Sequence, residues 1–307
     1  MESNEGRTPD ELVEASGVAA QAFPTGALYV VATPIGNAAD MTVRAWWVLS
    51  HVDAIAAEDT RTTRGLLERY GISAKLVAAH EHNERAAAQR IIERLRAGER
   101  IALVTDAGTP AISDPGARIV RAALDAGLRV VPIPGPSSLT AAACAAGIDA
   151  DEVRFVGFLP AGANKRLDRL RAIAADTAAC VLFEAPHRFA DTARELAAVL
   201  EPDRRVVVAR ELTKRFETIT ALAARDLPAW AERHAARGEY AIVIDPRRTT
   251  SSDARADTLD EATRRWLAAL AEALPAARAA AVAAKATGLP RDWLYRQFAA
   301  LRGEGVR

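Results

Sequence analysis

No G-x-G-x-x-G follows the first apolar run of this 307-residue chain, and no G-x-x-x-x-G-K-[ST] occurs in it. Their absence argues against a dinucleotide-binding Rossmann domain and against a P-loop. A serine nucleophile elbow and H-E-x-x-H are missing as well, which removes the common hydrolase and zincin signatures. Only two cysteines occur, Cys144 in an Ala-rich helical stretch and Cys180 entering an apolar strand. Both read as core residues, so neither a disulfide framework nor a metal site is supported, and a reducing cytoplasm fits. No apolar run approaches the roughly 20 residues that a membrane span needs. Residues 1–25 carry acids, Pro, Gly and Ser without an apolar h-region, which predicts a disordered tail and no signal peptide. Net charge is lacking too, with 40 Lys and Arg against 40 Asp and Glu. The balance hides an asymmetry: residues 262–307 hold eight basic side chains and three acids, a segment of +5 against −5 elsewhere. Such a module suits a polyanionic partner, although a solvated helix face has the same composition.

What is present begins with Leu103-Val-Thr-Asp-Ala-Gly-Thr-Pro-Ala-Ile-Ser-Asp-Pro-Gly116, where a buried β run empties into a loop of Gly, Pro, Asp, Ser and Thr. Glycine lets backbone approach a ligand, and short polar side chains offer hydroxyls and carboxylates at a strand's carboxyl end, where open α/β sheets bind ligands. The pattern recurs where Leu28–Thr33 runs into Pro34-Ile-Gly-Asn37 and where Val130–Ile133 runs into Pro134-Gly-Pro-Ser-Ser138. One such loop is also what an ordinary βα turn selects; three predict one composite pocket.

From Gly26 short apolar runs alternate with helical stretches, which predicts a largely parallel sheet covered by helices over 26–147. A second α/β domain is expected over 148–246, with strands near Phe155–Phe158, Ala179–Phe183, Arg205–Ala209, Glu217–Thr220 and Tyr240–Ile244, the fourth pairing antiparallel. Residues 247–257 read as a linker. Over 258–307, helix, Thr-Gly-Leu-Pro turn and helix outline a helix-turn-helix unit, an outline that a plain three-helix bundle shares.

Charged residues stand just beyond several strands. In Ala56-Ala-Glu-Asp-Thr-Arg61, Asp59 suits a helix cap and leaves Glu58 for hydrogen-bonding or charge work. His80-Glu-His-Asn-Glu84 lacks the carboxylate or cysteine spacing of a metal site and reads as a polar loop or a helix start capped by Asn83. Ala209-Arg-Glu-Leu-Thr-Lys-Arg-Phe-Glu217 holds Lys214, one of four lysines in the chain. Lysine, unlike arginine, loses its proton when desolvated, so Lys214 is a candidate general base as well as a plain surface lysine.

In order and spacing, ATPIGN (32–37), AAEDTR (56–61), TDAGTPAISDPG (105–116), PGPSS (134–138), GFLP (157–160), HR (187–188) and ARELTK (209–214) resemble the tetrapyrrole methylase superfamily. Within it they are similar to the bacterial enzymes that 2′-O-methylate a cytidine of 16S ribosomal RNA. The resemblance runs from about Gly26 to the C-terminus. It implies a tetrapyrrole methylase-like, non-Rossmann α/β fold of two domains with mainly parallel or mixed sheets and a C-terminal helical domain. S-adenosylmethionine is implied as donor in the cleft between the two α/β domains, with 16S rRNA in the 30S subunit as substrate, a homodimer, and no membrane. Donor contacts fall on Pro34, Asp106, Gly108, Thr109, Pro110, Ile112, Ser113, Asp114, Ser137, Ser138, Phe183 and Glu211. Catalysis falls on Lys214 or Glu58, and RNA contacts on Asn37, Asp59, Arg61, His187, Arg188 and Arg210. Where the superfamily usually has Gly-Asp-Pro this chain has Gly108-Thr109-Pro110, which leaves Asp106 or Asp114 to supply the missing carboxylate. The alternatives are a methylase of small tetrapyrroles and an RNA-binding protein without catalysis.

Overall fold

A computed structural model describes residues 9–80, 83–234, 237–247, 261–287 and 289–301. Two compact units are present, 1–247 and 248–307. The first holds two five-stranded sheets.

In the first sheet β1 (Ala27–Val31), β2 (Ala54–Ala57), β3 (Leu76–Ala78), β4 (Ile101–Val104) and β5 (Arg129–Ile133) lie in the order β3-β2-β4-β1-β5. All pairs are parallel. Side chains alternate along each strand, so Tyr29, Val31, Ile55, Ala102 and Val104 enter one core with α2 (Val43–His51) and α3 (Thr60–Arg69). Leu28, Ala56, Ile101 and Leu103 enter the opposite core with α4 (Glu84–Arg96) and α5 (Ala117–Asp125). Burial on both faces is what an all-parallel sheet requires and why its strands read as unbroken apolar runs.

The second sheet orders β6 (Val153–Phe158), β7 (Ala179–Glu184), β8 (Arg205–Arg210), β9 (Thr218–Ala223) and β10 (Tyr240–Ile244) as β6-β7-β10-β8-β9. It is mixed. β6 and β7 are parallel, β9 pairs antiparallel with β8 as expected, and β10 runs antiparallel to both of its neighbours. Cys180, Leu182, Val206, Val208, Ile242 and Ile244 face α7 (Ala163–Ala175), α8 (Pro186–Val199) and α9 (Leu227–Arg233). The alternate residues Val181, Val207, Ala209, Ala241 and Val243 face α6 (Ser138–Ala145), which follows the last strand of the first sheet and so ties the two halves together.

Two expectations need correcting here. From Pro9 the supposed tail is ordered: α1 (Pro9–Ser16) starts with Pro in its first turn and acids beside it, both favoured at a helix N-terminus. It leads into a turn with Val18 buried, and Phe23 packs 4.8 Å from the Tyr29 and Trp47 rings. Residues 1–8 lie outside the described ones. Cys144 is exposed, because α6 is apolar around its whole circumference and turns only one side to the sheet; Cys180 is buried.

Of the expected linker, Arg247 belongs to the first unit, donating its N–H to the Asp176 carbonyl at 2.8 Å; residues 248–257 lie outside the described ones. In the second unit α10 (Glu261–Ala273), α11 (Ala276–Thr287) and α12 (Arg291–Leu301) close a core of Leu267, Ala279, Ala280, Ala283, Trp293, Leu294 and Phe298. The alanines let α11 approach the large side chains of α12 closely. Among the described residues no helix is long and apolar enough to cross a membrane.

Candidate active site

Because β4, β1 and β5 are neighbours, the loops after them meet at one edge, where the Thr33 and Gly108 backbones exchange N–H···O bonds of 2.9 and 3.0 Å. Thr109 Oγ1 donates to the Pro136 carbonyl at 3.0 Å and locks the second loop to the third. The carboxyl ends of β6, β7 and β8 and the amino end of β10 face them, enclosing a cleft of about 360 Å³. Of the expected site residues, Glu58, Asp106, Ile112, Ser113, Asp114, Ser138 and Phe183 line it. Pro34, Gly108, Thr109, Pro110, Ser137 and Glu211 stand behind that lining and shape it. Pro34, Gly108 and Pro110 are buried, and the Ser137 carbonyl starts α6 by accepting from Ala141 N–H at 2.9 Å.

Among the described residues four non-glycine ones adopt positive φ, Ala111 (69°), Ser113 (63°), Glu211 (54°) and Thr213 (66°). All lie in two loops at this cleft, and strain of this kind persists only where its surroundings enforce it. Gly157 (φ 70°) lets β6 abut the second loop, since a Cβ there would stand 3.0 Å from Ser113 Oγ. The start of α5 is held from outside. Gly116 has φ 124° and no capping side chain, and the buried Glu84 of α4 accepts the N–H groups of Gly116 (2.9 Å) and Arg118 (3.0 Å).

Among the described residues, five carboxylates, Glu58, Asp106, Asp114, Glu184 and Glu239, line the cleft, and no lysine, arginine or histidine does. Burial, then the negative charges of Glu58, Asp106 and Glu239, push the Asp114 carboxyl up to about 6. Burial likewise raises Asp106, which accepts the Asp59 N–H at 3.1 Å. Glu184 is 2% exposed and closed off by Thr192 Oγ1 (2.6 Å), Arg188 Nε (3.4 Å) and Arg166 Nη1 (3.6 Å).

Lys214 does not fit a base. Burial works to lower its pKa, but Nζ donates to Glu211 and Glu239 at 2.9 Å each, and these bonds prevail and raise it. A lysine so paired stays an ammonium. The segment presses on Gly36, where a Cβ would stand 2.5 Å from Lys214 Cγ. Two residues expected at phosphates also brace the protein itself. Arg188 spends its guanidinium on Glu184 and on the Leu159 and Pro160 carbonyls (2.8 and 3.4 Å), and Arg210 Nε donates to the Arg237 carbonyl at 2.9 Å. The strand-end position that suggested RNA contact equally allows bracing of neighbouring loops. Asp59 caps α3 by accepting from Arg61 N–H at 2.7 Å; hydrogen bonds from Arg61 hold its carboxyl down at about 2. Asn37 caps a short 3-10 turn, whereas Asn83 stands at the start of α4 without a capping bond. The Arg61 side chain is 87% exposed, and His187 is exposed.

Glu239, Tyr240 and Ala241 escaped sequence reasoning because only the antiparallel course of β10 brings its amino end to the cleft. Ile35, Phe158 and Leu212 also line it. Their signal was present, since each lies in or beside a loop already singled out.

Two sheets of this topology with a cleft at their facing edges make the fold of the tetrapyrrole methylase class, and the sequence places the chain in that class. The family model for tetrapyrrole (corrin/porphyrin) methylases matches residues 27–228, and that for the RsmI C-terminal HTH domain matches 257–302. Among solved structures the fold is similar to the methyltransferase CobJ (TM-score 0.55, 20% identity, 74% of this chain and 98% of that one). It is also similar to uroporphyrin-III C-methyl transferase from Thermus thermophilus complexed with S-adenosyl homocysteine (TM-score 0.51, 17% identity, 70% and 96%). Relatives named ribosomal RNA small subunit methyltransferase I are 45% identical in Escherichia coli O157:H7 (88% of this chain, 94% of the relative) and 46% identical in Xylella fastidiosa (88% and 98%). The chain belongs to the ribosomal RNA small subunit methyltransferase I family.

Proposed function

We propose that the protein transfers a methyl group from S-adenosylmethionine to the 2′-hydroxyl of a cytidine ribose in 16S ribosomal RNA of the small subunit. The observation that carries the donor is the charge of the cleft: of its five carboxylates Glu184 and Glu239 are ion-paired with cations from behind the lining, and with no cationic lining residue among the described ones the acid excess opposes phosphate or carboxylate ligands and favours a sulfonium and an ammonium. Phe158, Phe183, Ile35 and Leu212 add the apolar and aromatic surface that a purine packs on, within the usual volume of a small-molecule site. When bound, the donor supplies an electrophilic methyl on a positively charged sulfur. The protein's part is to align the hydroxyl and exclude water. Asp106, Ile112, Ser113, Ser138 and Phe183 are the donor-site residues of this reading, and Asp114 lines the same cleft. Lys214 acts as a charge clamp between Glu211 and Glu239. Arg61 and His187 remain the exposed groups of the first unit for RNA, and Asn37 and Asp59 support the turns beside the cleft. The RNA acceptor rests on family membership over both the methylase and the C-terminal segments, and the homodimer and cytoplasmic location on the resemblance.

Methyl transfer from labelled S-adenosylmethionine to 30S subunits lacking the modification tests the reading. Labelled 2′-O-methylcytidine, identified by mass spectrometry, is expected. Donor binding with unlabelled subunits would refute the ribosomal substrate and redirect the test to tetrapyrrole acceptors.

A further inference from the structure

We propose that Asp114 is the general base of the reaction, taking the proton from the ribose 2′-hydroxyl; this rests on the reading that the acceptor is a ribose. Of the five cleft carboxylates, Glu184 is enclosed by Arg166, Arg188 and Thr192, Glu239 is ion-paired with Lys214, Asp106 accepts the Asp59 N–H, and Glu58 Oε2 accepts the Asp106 N–H at 3.3 Å. The Asp114 side chain alone has no hydrogen bond or ion pair among the described residues, and it lines the cleft. Its position is fixed all the same. Ser113 before it is held at φ 63°, the Ala111 N–H bonds the Pro115 carbonyl at 3.3 Å, and Gly116 after it is anchored on Glu84.

Those surroundings also raise its basicity. Asp114 is flanked by Glu58, Asp106 and Glu239 and titrates near 6, so at pH 7.5 it is ionised yet a stronger base than an ordinary aspartate. Lys214 is withdrawn from the role by its two ion pairs. As the 2′-oxygen bonds to the methyl carbon, the carbon–sulfur bond breaks with its electron pair going to sulfur. The 2′-proton passes to an Asp114 Oδ atom and from there to solvent, so sulfonium and alcohol become thioether, ether and one proton.

Asp114→Asn and Asp114→Glu decide it, through donor affinity by calorimetry without RNA, single-turnover rates across pH at saturating donor and 30S subunits, and carboxyl NMR titration of the free protein. Expected are a loss of about 100-fold or more in the Asn variant's rate with donor affinity within about threefold, and partial rescue by Glu. The wild-type rate should fall below a pH near 6, with no such limb in the Asn variant, and one carboxyl resonance titrating near 6 should vanish with the substitution. An Asn rate within about tenfold of wild type, or a loss confined to donor affinity, overturns the assignment while RNA methylation by the wild type stands. A wild type that methylates no RNA overturns the underlying reading and this proposal with it.

Discussion

Glu84→Ala should unfold the protein more easily than its place on α4, away from the cleft lining, suggests. Glu84 Oε1 accepts the first N–H groups of α5, Gly116 at 2.9 Å and Arg118 at 3.0 Å, from a position 5% exposed. The α5 cap position cannot supply its own acceptor. It must be glycine at φ 124°, and a Cβ there would also come 3.1 Å from Leu103 Cδ2. Glu84 therefore caps a helix that is not its own, while its charge also sits favourably at the start of α4. Each charge-assisted bond contributes about 1.5–3 kcal/mol. Losing two, with partial rehydration of Arg118, should cost about 3 kcal/mol, or roughly 6–12 °C in Tm for a unit of this size.

Urea and thermal melts of the wild type, Glu84→Ala and Glu84→Gln measure this. The amide keeps an acceptor oxygen and should lose about 1 kcal/mol. Because α5 anchors the loop carrying Asp114, donor affinity should fall about tenfold in the Ala variant, the equivalent of about 1.4 kcal/mol. A Glu84→Ala protein within about 0.5 kcal/mol of wild type would refute the claim that α5 depends on a borrowed cap.

Gly36→Ala meets both a glycine-only φ of 147° and the Lys214 side chain, so it should cost about 1–3 kcal/mol and weaken donor binding. In a double-mutant cycle with Lys214→Met the donor-affinity losses should not add; full additivity would show that Gly36 does not act through the clamp. Arg204 donates to the carbonyls of Ile173, Ala174, Asp176 and Asp245 from a side chain 3% exposed, so Arg204→Ala should cost about 3–5 kcal/mol by denaturant melts. Lys cannot reproduce that fork, and Arg204→Lys should recover little. Asp114 gives a pH-dependent test. Its folded pKa of about 6 lies above the ordinary 3.8, so its ionisation burdens the folded state. The burden is absent below about pH 3.8, grows until about pH 6 and is constant above. The full shift corresponds to about 3 kcal/mol, reduced by solvent screening at this half-buried site to about 1. Asp114→Asn should melt about 2–4 °C above wild type at pH 8, with most of that gain gone at pH 4; a pH-independent gain would count against the strained carboxylate.

Most of the fold was legible because the apolar runs of β1, β2, β4, β7 and β8 are short, bounded by turn residues and alternate with helical stretches. Three loops with the same Gly and Pro chemistry announce the cleft in the sequence itself. Direction was not legible, since Tyr240–Ile244 reads identically as a parallel or an antiparallel strand, and Glu239 reached the cleft unnoticed. Partnership was hidden as well. Lys214 and Arg188 carry the right chemistry at the right strand ends, but whether a cation is spent inside the protein depends on contacts distant in sequence, with the Glu239 carboxylate 25 residues from Lys214 and the Leu159 carbonyl 29 from Arg188. Strain at Ala111, Ser113, Glu211 and Thr213 had no sequence signal, because none of them is the glycine that such backbone favours.

The charge pattern divides the work. A cleft lined by five carboxylates holds a cationic donor well and repels a polyanion, so the same residues that fit the donor cannot also supply affinity for RNA. Repulsion is tolerable at the reacting atom, since a ribose hydroxyl is neutral and only its flanking phosphates carry charge. Capture must then come from a surface of opposite sign. The second unit exposes Arg278, Lys285, Arg291 and Arg296 around an alanine-rich core, and residues 262–307 carry an excess of +5. Phosphate contacts by such a module bind without reading sequence and weaken with salt. The acidic cleft faces the opposite demand: burial and mutual repulsion keep at least one of its carboxylates basic enough to take a proton. On this division a neutral overall charge is the sum of two opposed requirements, and neutralising either half alone would impair one step while sparing the other.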